Sequence, residues 1–300
     1  MHIIRNRNLY FILPGALVAV SLIVILIFGL KGGVDVSGGS LLEISYETER
    51  PAVSLLKQRV SVLPLGEVHI QPTGDAGYIV RARNLNPEEK AALLQTLMVE
   101  GTTLHEERFT SIGPTIGKEL RDKAWIAVGL VSLAIISYIA FAFRHVSEPV
   151  ASWKYGLVAI ATLLHDILIP MGLFAVLGEV RGAEVDSLFI VALLTILGIS
   201  VNDTIVVFDR IRENLRFNKD HKIREQFETV VGKSIDQTIT RSINTSLTVI
   251  IVLLALFFLG PESTKNFALT LTIGMIAGTY SSIFLASPLL VVWEKVSRRT

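Results

Sequence analysis

The sequence predicts a polytopic α-helical membrane protein, with six transmembrane helices and one small α+β domain outside the bilayer. Three observations carry that expectation. The 300-residue chain is 51% apolar and 18% charged, with a mean hydropathy of +0.55, where ordinary soluble domains carry roughly 25% charged residues. Six stretches stay apolar over the roughly 20 residues a helix needs to cross a hydrocarbon core about 30 Å thick. The block between the first two of them follows strand and short-helix periods instead. A net charge of +1 offers no basic field for nucleic acid. The absence of cysteine excludes disulfide frameworks, thiolate zinc sites, iron–sulfur clusters and cysteine nucleophiles.

The first span runs from Leu9 to Leu30. It exceeds the apolar region of a signal peptide and no small-residue cleavage site follows, so it is read as retained, closing a segment 1–30. The block 31–121 comes next. Apolar positions alternate over Leu41–Tyr46, and a helical pattern covers Ala52–Leu63 after Pro51. Strand-like runs at Glu67–Gln71 and Tyr78–Ala82 flank the turn signal Thr73-Gly74-Asp75. Pro87-Glu88-Glu89 opens a second helix with acids in its first turn, where the helix dipole favours them. A last strand covers Leu104–Thr110. The order βαββαβ predicts a split βαβ sheet of the ferredoxin-like kind.

Five further spans fill a membrane domain at 122–300: Ala124–Phe143, Tyr155–Leu177, Ser187–Phe208, Ile239–Leu259 and Phe267–Trp293. Lys and Arg concentrate on one side of them. Arg5, Arg7, Arg144 and Lys154, the basic residues between spans four and five (Arg210 to Lys233), and Lys295, Arg298 and Arg299 share that side. The opposite loops offer Arg181 and Lys265. The bias places both termini in the cytoplasm and the 31–121 block outside it. The linker 210–235 carries Phe217, Ile223, Phe227, Val230 and Val231 at roughly helical spacing. It reads as an amphipathic helix, lying on anionic headgroups or docking on a partner at the membrane.

Polar residues interrupt the spans at three places, and an ionisable group there costs at least about 2.5–3.5 kcal/mol on insertion scales. Asp203, beside Asn202, lies about five residues, roughly 8 Å of helical rise, from the cytoplasmic end of the fourth span. Ser200, Asp203 and Arg210 share a helix face. In the fifth span Gln237, Arg241, Asn244, Thr245 and Thr248 form a polar stripe. If spans four and five are antiparallel neighbours, Asp203 and Arg241 reach similar depth and pair. His165 and Asp166 interrupt the third span, pointing about 100° apart, with Pro170 beyond them. A buried Asp–Arg pair fits two roles: a lock between helices, or a proton relay in which a moving arginine switches the aspartate's proton affinity. His165 and Asp166 fit relay or packing equally. Gly274 and Gly278, at GxxxG spacing, read as packing devices.

These residues resemble the SecF members of the SecD/SecF family of protein-export membrane proteins, in the resistance–nodulation–division superfamily. The likeness runs over Gly33-Val34-Asp35-Val36-Ser37-Gly38-Gly39, Ile112-Gly113-Pro114 with Glu119-Leu120, and Leu164-His165-Asp166. It continues through Leu193 to Asn214, the run Thr240-Arg241-Ser242-Ile243-Asn244-Thr245-Ser246, and Gly278-Thr279-Tyr280-Ser281-Ser282-Ile283. The resemblance implies a half-transporter in the bacterial inner membrane whose six helices pair with six of SecD about a pseudo-two-fold axis. It implies partners in SecD, the SecYEG translocon and YajC, with translocating unfolded polypeptides and membrane lipid as further contacts. It implies use of the proton-motive force in late protein export, with protons as coupling ion and no other cofactor. Asp203 and Arg241 match the family's proton-conducting positions, with Asn202, Asn244, Thr245, Thr248, His165, Asp166 and Arg210 as supporting candidates.

Other readings are a small-molecule exporter half of the same superfamily and a passive translocon scaffold. An enzyme is not expected: HExxH and GxSxG are absent, and His165-Asp166 offers too few ligands for a metal. Gly33–Gly39 lacks the GxxxxGK[ST] of a phosphate loop. A flexible join between helix and domain accounts for its glycines.

Overall fold

A computed structural model describes residues 2–47, 50–142 and 150–297. Phe143, Arg144, Arg298 and Arg299 lie outside the described residues. In chain order, α1 (His2–Arg5) and α2 (Arg7–Phe28) lead to the short α3 (Val34–Ser37). Then come β1 (Gly39–Tyr46), α4 (Val53–Val60), β2 (His69–Thr73), β3 (Gly77–Ala82), α5 (Pro87–Leu97) and β4 (Leu104–Ile112). The long helices follow: α6 (Pro114–Ala142), α7 (Ser152–Arg181), α8 (Ser187–Asp220) and α9 (Phe227–Leu259). The sixth span is α10 (Glu262–Ser281), a π-turn at Ser282–Ala286, and α11 (Ser287–Ser297). Six helices are long and apolar enough to cross a membrane, and the chain is a multi-pass membrane protein.

The chain divides into a bundle unit, Met1–Leu30, Ala127–Val180 and Leu188–Thr300, and a sheet unit, Lys31–Ile126 with Arg181–Ser187. The expected boundary at 121 therefore falls inside α6, and the α7–α8 connection, expected in the membrane domain, belongs to the sheet unit.

In the sheet unit the strand order is β2-β3-β1-β4 with every pair antiparallel, the ferredoxin-like arrangement expected. Burial alternates along β1, which puts Leu42, Ile44 and Tyr46 against Leu56 and Val60 of α4 and Leu93 and Leu97 of α5. Helix α5 starts at a capping box. Asn86 Oδ1 accepts from Glu89 N at 2.8 Å while Glu89 Oε2 accepts from Asn86 N at 3.0 Å. The glycine run is a tight crossing, not a loose join. Gly38 has φ +77°, and a Cβ on Gly117 of α6 would come within 2.5 Å of its amide nitrogen, so both must be small.

The connection Arg181–Ser187 is strapped to this sheet. Gly33 N donates to Val185 O at 2.9 Å and Val185 N to Lys31 O at 2.8 Å. Gln71 Nε2 donates to Arg181 O at 2.6 Å, and Asp35 Oδ2 accepts from Ser187 N at 3.1 Å. Arg81 Nε lies 2.8 Å from Glu184 Oε1. Burial pushes the Glu184 carboxyl above its ordinary range, and Arg81 offsets part of that rise.

In the bundle, α7, α8 and the α10–α11 span are buried along much of their length, whereas α2, α6 and α9 leave most of their surface open. No surface helix forms in the 210–235 linker. Instead α8 runs on to Asp220, a turn with Lys222 at φ 55° follows, and α9 begins at Phe227. The apolar residues expected on a membrane-surface face divide accordingly. Phe227, Val230 and Val231 are buried, with Phe227 and Val231 in a core with Tyr155, Val207, Phe208, Ile211 and Leu290, while Phe217 and Ile223 stay exposed. Arg7 Nη1 meets Glu228 Oε1 at 2.9 Å and Lys295 meets the other oxygen, tying the starts of α2 and α9 to the end of α11. The π-turn precedes Pro288, which has no N–H and whose ring crowds the carbonyl four residues back.

Candidate functional site

Helices α8 and α9 are antiparallel neighbours whose polar contacts run in step. Asp203 meets Ser246, Arg210 meets Gln237 and Asn214 meets Ser234. Asp203 is 5% exposed and its Oδ2 accepts from Ser246 Oγ at 3.2 Å. Ser246 also donates to its own helix, at Ser242 O, 2.9 Å away. The carboxylate thus sits among serine hydroxyls inside the bundle.

The expected Asp203–Arg241 ion pair does not form among the described residues. The register explains it: the residue of α9 level with Asp203 is Ser246, and Arg241 lies five residues, roughly 7.5 Å of rise, nearer the α8–α9 turn. Ser242 and Ser246 face inward at 2% and 1% exposure, so Arg241, one position earlier, is turned about 100° away and is exposed. A polar cavity of about 240 Å³ opens at this level, lined by Val206, Asp209, Arg210, Glu213, Gln237, Thr238 and Arg241. Val206 follows Asp203 by one turn of α8, so the cavity ends a turn from the buried acid.

The remaining candidates fall into two groups. Asn202, Asn244, Thr245 and Thr248 are exposed on this chain. Thr245 and Thr248 spend their hydroxyls on the Arg241 and Asn244 carbonyls, each at 2.9 Å, whereas the Asn244 side chain makes no hydrogen bond among the described residues. Arg210 lines the cavity, bonded to Gln237 Oε1 and Glu213 Oε2, both at 2.6 Å. His165 and Asp166, by contrast, are buried at 3% and 0% exposure. Although adjacent, they bond to each other, Nδ1 to Oδ1 at 2.8 Å. Asp166 Oδ2 also accepts from Ser200 Oγ of α8 and, at 2.9 Å, from Ser281 Oγ of α10. Ser200 therefore serves Asp166, one turn of α8 from Asp203, whose hydroxyl partner comes from α9. The glycines explain the approach of α10: a Cβ on Gly274 would meet Ile196 at 2.2 Å, and one on Gly278 would meet Ser200 Cβ at 3.0 Å.

Sequence reasoning passed over Ser246 and Ser281 as partners of buried acids. The i, i+4 spacing of Ser242 and Ser246 and the place of Ser281 one turn after Gly278 were the signals available. No cluster of three or more His, Asp or Glu placed to hold a metal occurs among the described residues.

A family profile described as "Protein export membrane protein SecD/SecF, C-terminal" matches residues 94–296. The chain is 42% identical over 316 residues to the protein translocase subunit SecF of Thermobaculum terrenum, covering 99% of this chain and 97% of that one. It is 39% identical to the SecF of Anaerolinea thermophila, covering 98% and 94%. Among solved structures, SecDF of Thermus thermophilus, described as a translocon-associated membrane protein, matches with a TM-score of 0.84 at 30% identity, over 98% of this chain. A SecDF in a "super-membrane-facing form" matches the whole chain with a TM-score of 0.67 at 31% identity. This chain spans 39% of the length of each SecDF chain. The bundle of six spans, the ferredoxin-like unit inserted after the first and the full-length identity lead to one assignment: the chain belongs to the SecF branch of the SecD/SecF family of protein-export membrane proteins.

Proposed function

We propose that this chain is the proton-coupled subunit of a Sec translocase, paired with SecD and acting beside SecYEG and YajC on polypeptides late in export. In this reading it lies in a bacterial inner membrane, with both termini cytoplasmic and the sheet unit outside. It catalyses no covalent chemistry and needs no cofactor beyond protons.

The observation that carries the reading is Asp203: a buried carboxyl inside a spanning helix, bonded among the described residues to one serine hydroxyl and no cation, one turn from a polar cavity lined by Arg241. An unpaired charge is expensive there, so the bundle favours either a protonated Asp203 or an approached guanidinium. Protons reach the acid through the cavity. A bound proton releases Arg241; loss of the proton draws Arg241 inward, and α9 with it. The exposed stripe of Gln237, Arg241 and Asn244 is the face through which SecD completes the path. Each proton crossing contributes about 2.3 kcal/mol per 100 mV of membrane potential.

The test is protein import into inverted membrane vesicles, with the membrane gradient imposed or collapsed. Asp203→Asn and Arg241→Met are each expected to insert and assemble with SecD, yet to lose the gradient-driven share of import at least about tenfold. Import at the wild-type rate from both variants contradicts the reading.

A further inference from the structure

A fully buried polar cluster of the bundle surrounds Asp166. Its carboxylate makes three contacts: Ser200 Oγ, Ser281 Oγ at 2.9 Å and His165 Nδ1 at 2.8 Å. The other imidazole nitrogen, His165 Nε2, is buried and has no hydrogen-bond partner among the described residues. The groups that meet the acid from α8 and α10 are uncharged. From α8 comes Ser200, with Asp203 bonded instead to Ser246 of α9. From α10 come Ser281 and Gly278, where a Cβ would stand 3.6 Å from Oδ2. Tyr280 donates to the Tyr10 carbonyl at 3.2 Å. Among the described residues the only titratable partner of Asp166 is His165.

This arrangement has a proton count. With one shared proton the pair is neutral, either as carboxylic acid against imidazole or as carboxylate against imidazolium, and in both forms Nε2 carries a hydrogen. Without it the pair holds a full negative charge in the bundle, Nδ1 keeps its hydrogen toward Oδ1, and Nε2 becomes an acceptor. Gain and loss of that proton therefore occur at Nε2, the one atom of the cluster left without a partner, and no other bond changes. Packing alone does not call for an acid here, since an asparagine oxygen accepts the same two hydroxyls.

We propose that His165 and Asp166 form a second proton-binding site, loaded and unloaded through His165 Nε2 and linked to Asp203 through α8, where Ser200 and Asp203 stand one turn apart. The proposal rests on the proton-coupled reading above, and the experiment separates the two. The full chain, assembled with SecD in liposomes holding a pH-sensitive dye, is driven by an imposed potential. Asp166→Asn and His165→Leu are each expected to lower proton flux at least about tenfold with assembly unchanged. Wild-type flux in Asp166→Asn, with flux lost in Asp203→Asn, overturns the second site and leaves the first. The reverse pattern removes Asp203 from the path and keeps this one. Should Asp166→Asn fail to assemble, Ser281→Ala decides. A hydroxyl bonds more strongly to the charged form of an acid than to the neutral one, so its loss displaces the pH at which flux is half-maximal. An unchanged profile overturns the proposal.

Discussion

At position 278 the absence of a side chain sets how closely α10 approaches α8 and how near Ser281 comes to Asp166. A Cβ there would stand 3.0 Å from Ser200 Cβ, an atom fixed to its backbone, so the helices must separate to admit it. Gly278→Leu is expected to destabilise the bundle by about 1–3 kcal/mol, read as a lower unfolding temperature in detergent; an unchanged temperature contradicts the packing described. The sequence marked Asp203 and Asp166 as exceptional because a carboxylate stands out in an apolar run. It did not reveal their partners, because serine is unremarkable in a spanning helix. Nor did it place Arg241. Helix α8 runs 12 residues past the expected end at Phe208 to Asp220, and α9 begins 12 residues before the expected Ile239, at Phe227, so the two extensions cancel. Arg241 misses Asp203 because it stands two residues inside the expected start of its span while Asp203 stands five inside the expected end of its own.

At the scale of elements, the sheet unit was largely legible. Period-two alternation, the Gly74 turn and the Pro87-Glu88-Glu89 helix start each report local chemistry, and strand ends fall within two residues of expectation. The linker was misjudged because one apolar period fits both a surface helix and the abutting ends of two long ones. The strap at Arg181–Ser187 left no pattern at all, since its contacts are mostly backbone. In the chain it is the connection between α7 and α8. Arg81→Ala leaves the mostly buried Glu184 carboxylate without its cation, a cost of about 1–3 kcal/mol. At neutral pH, amide exchange at Gly33 and Val185 is therefore expected to accelerate. Glu184 titrates above its ordinary range because of burial, so its burial is unfavourable once ionised and that penalty fades as pH falls through its folded-state value. The acceleration should shrink in the same direction. Exchange that ignores the substitution at neutral pH contradicts the strap.

At the scale of the whole molecule, the open faces of α2, α6 and α9 differ in kind. Those of α2 and of α6 beyond Lys123 are apolar, with Leu9, Ile12, Trp125 and Leu130 exposed, and suit lipid. That of α9 sets Arg241 and Asn244 among Ile243, Leu247 and Ile251, a mixture that hydrocarbon does not tolerate and a partner's polar helices do. Under the proposed proton coupling, α8 is the helix both buried acids bear on, since it carries Asp203 and its Ser200 donates to Asp166. The most direct test is proton flux through the chain reconstituted with SecD, wild type against Asp203→Asn, under the same imposed potential. A flux present in wild type and lost in the fully assembled variant is the result predicted; equal flux in the two contradicts the account.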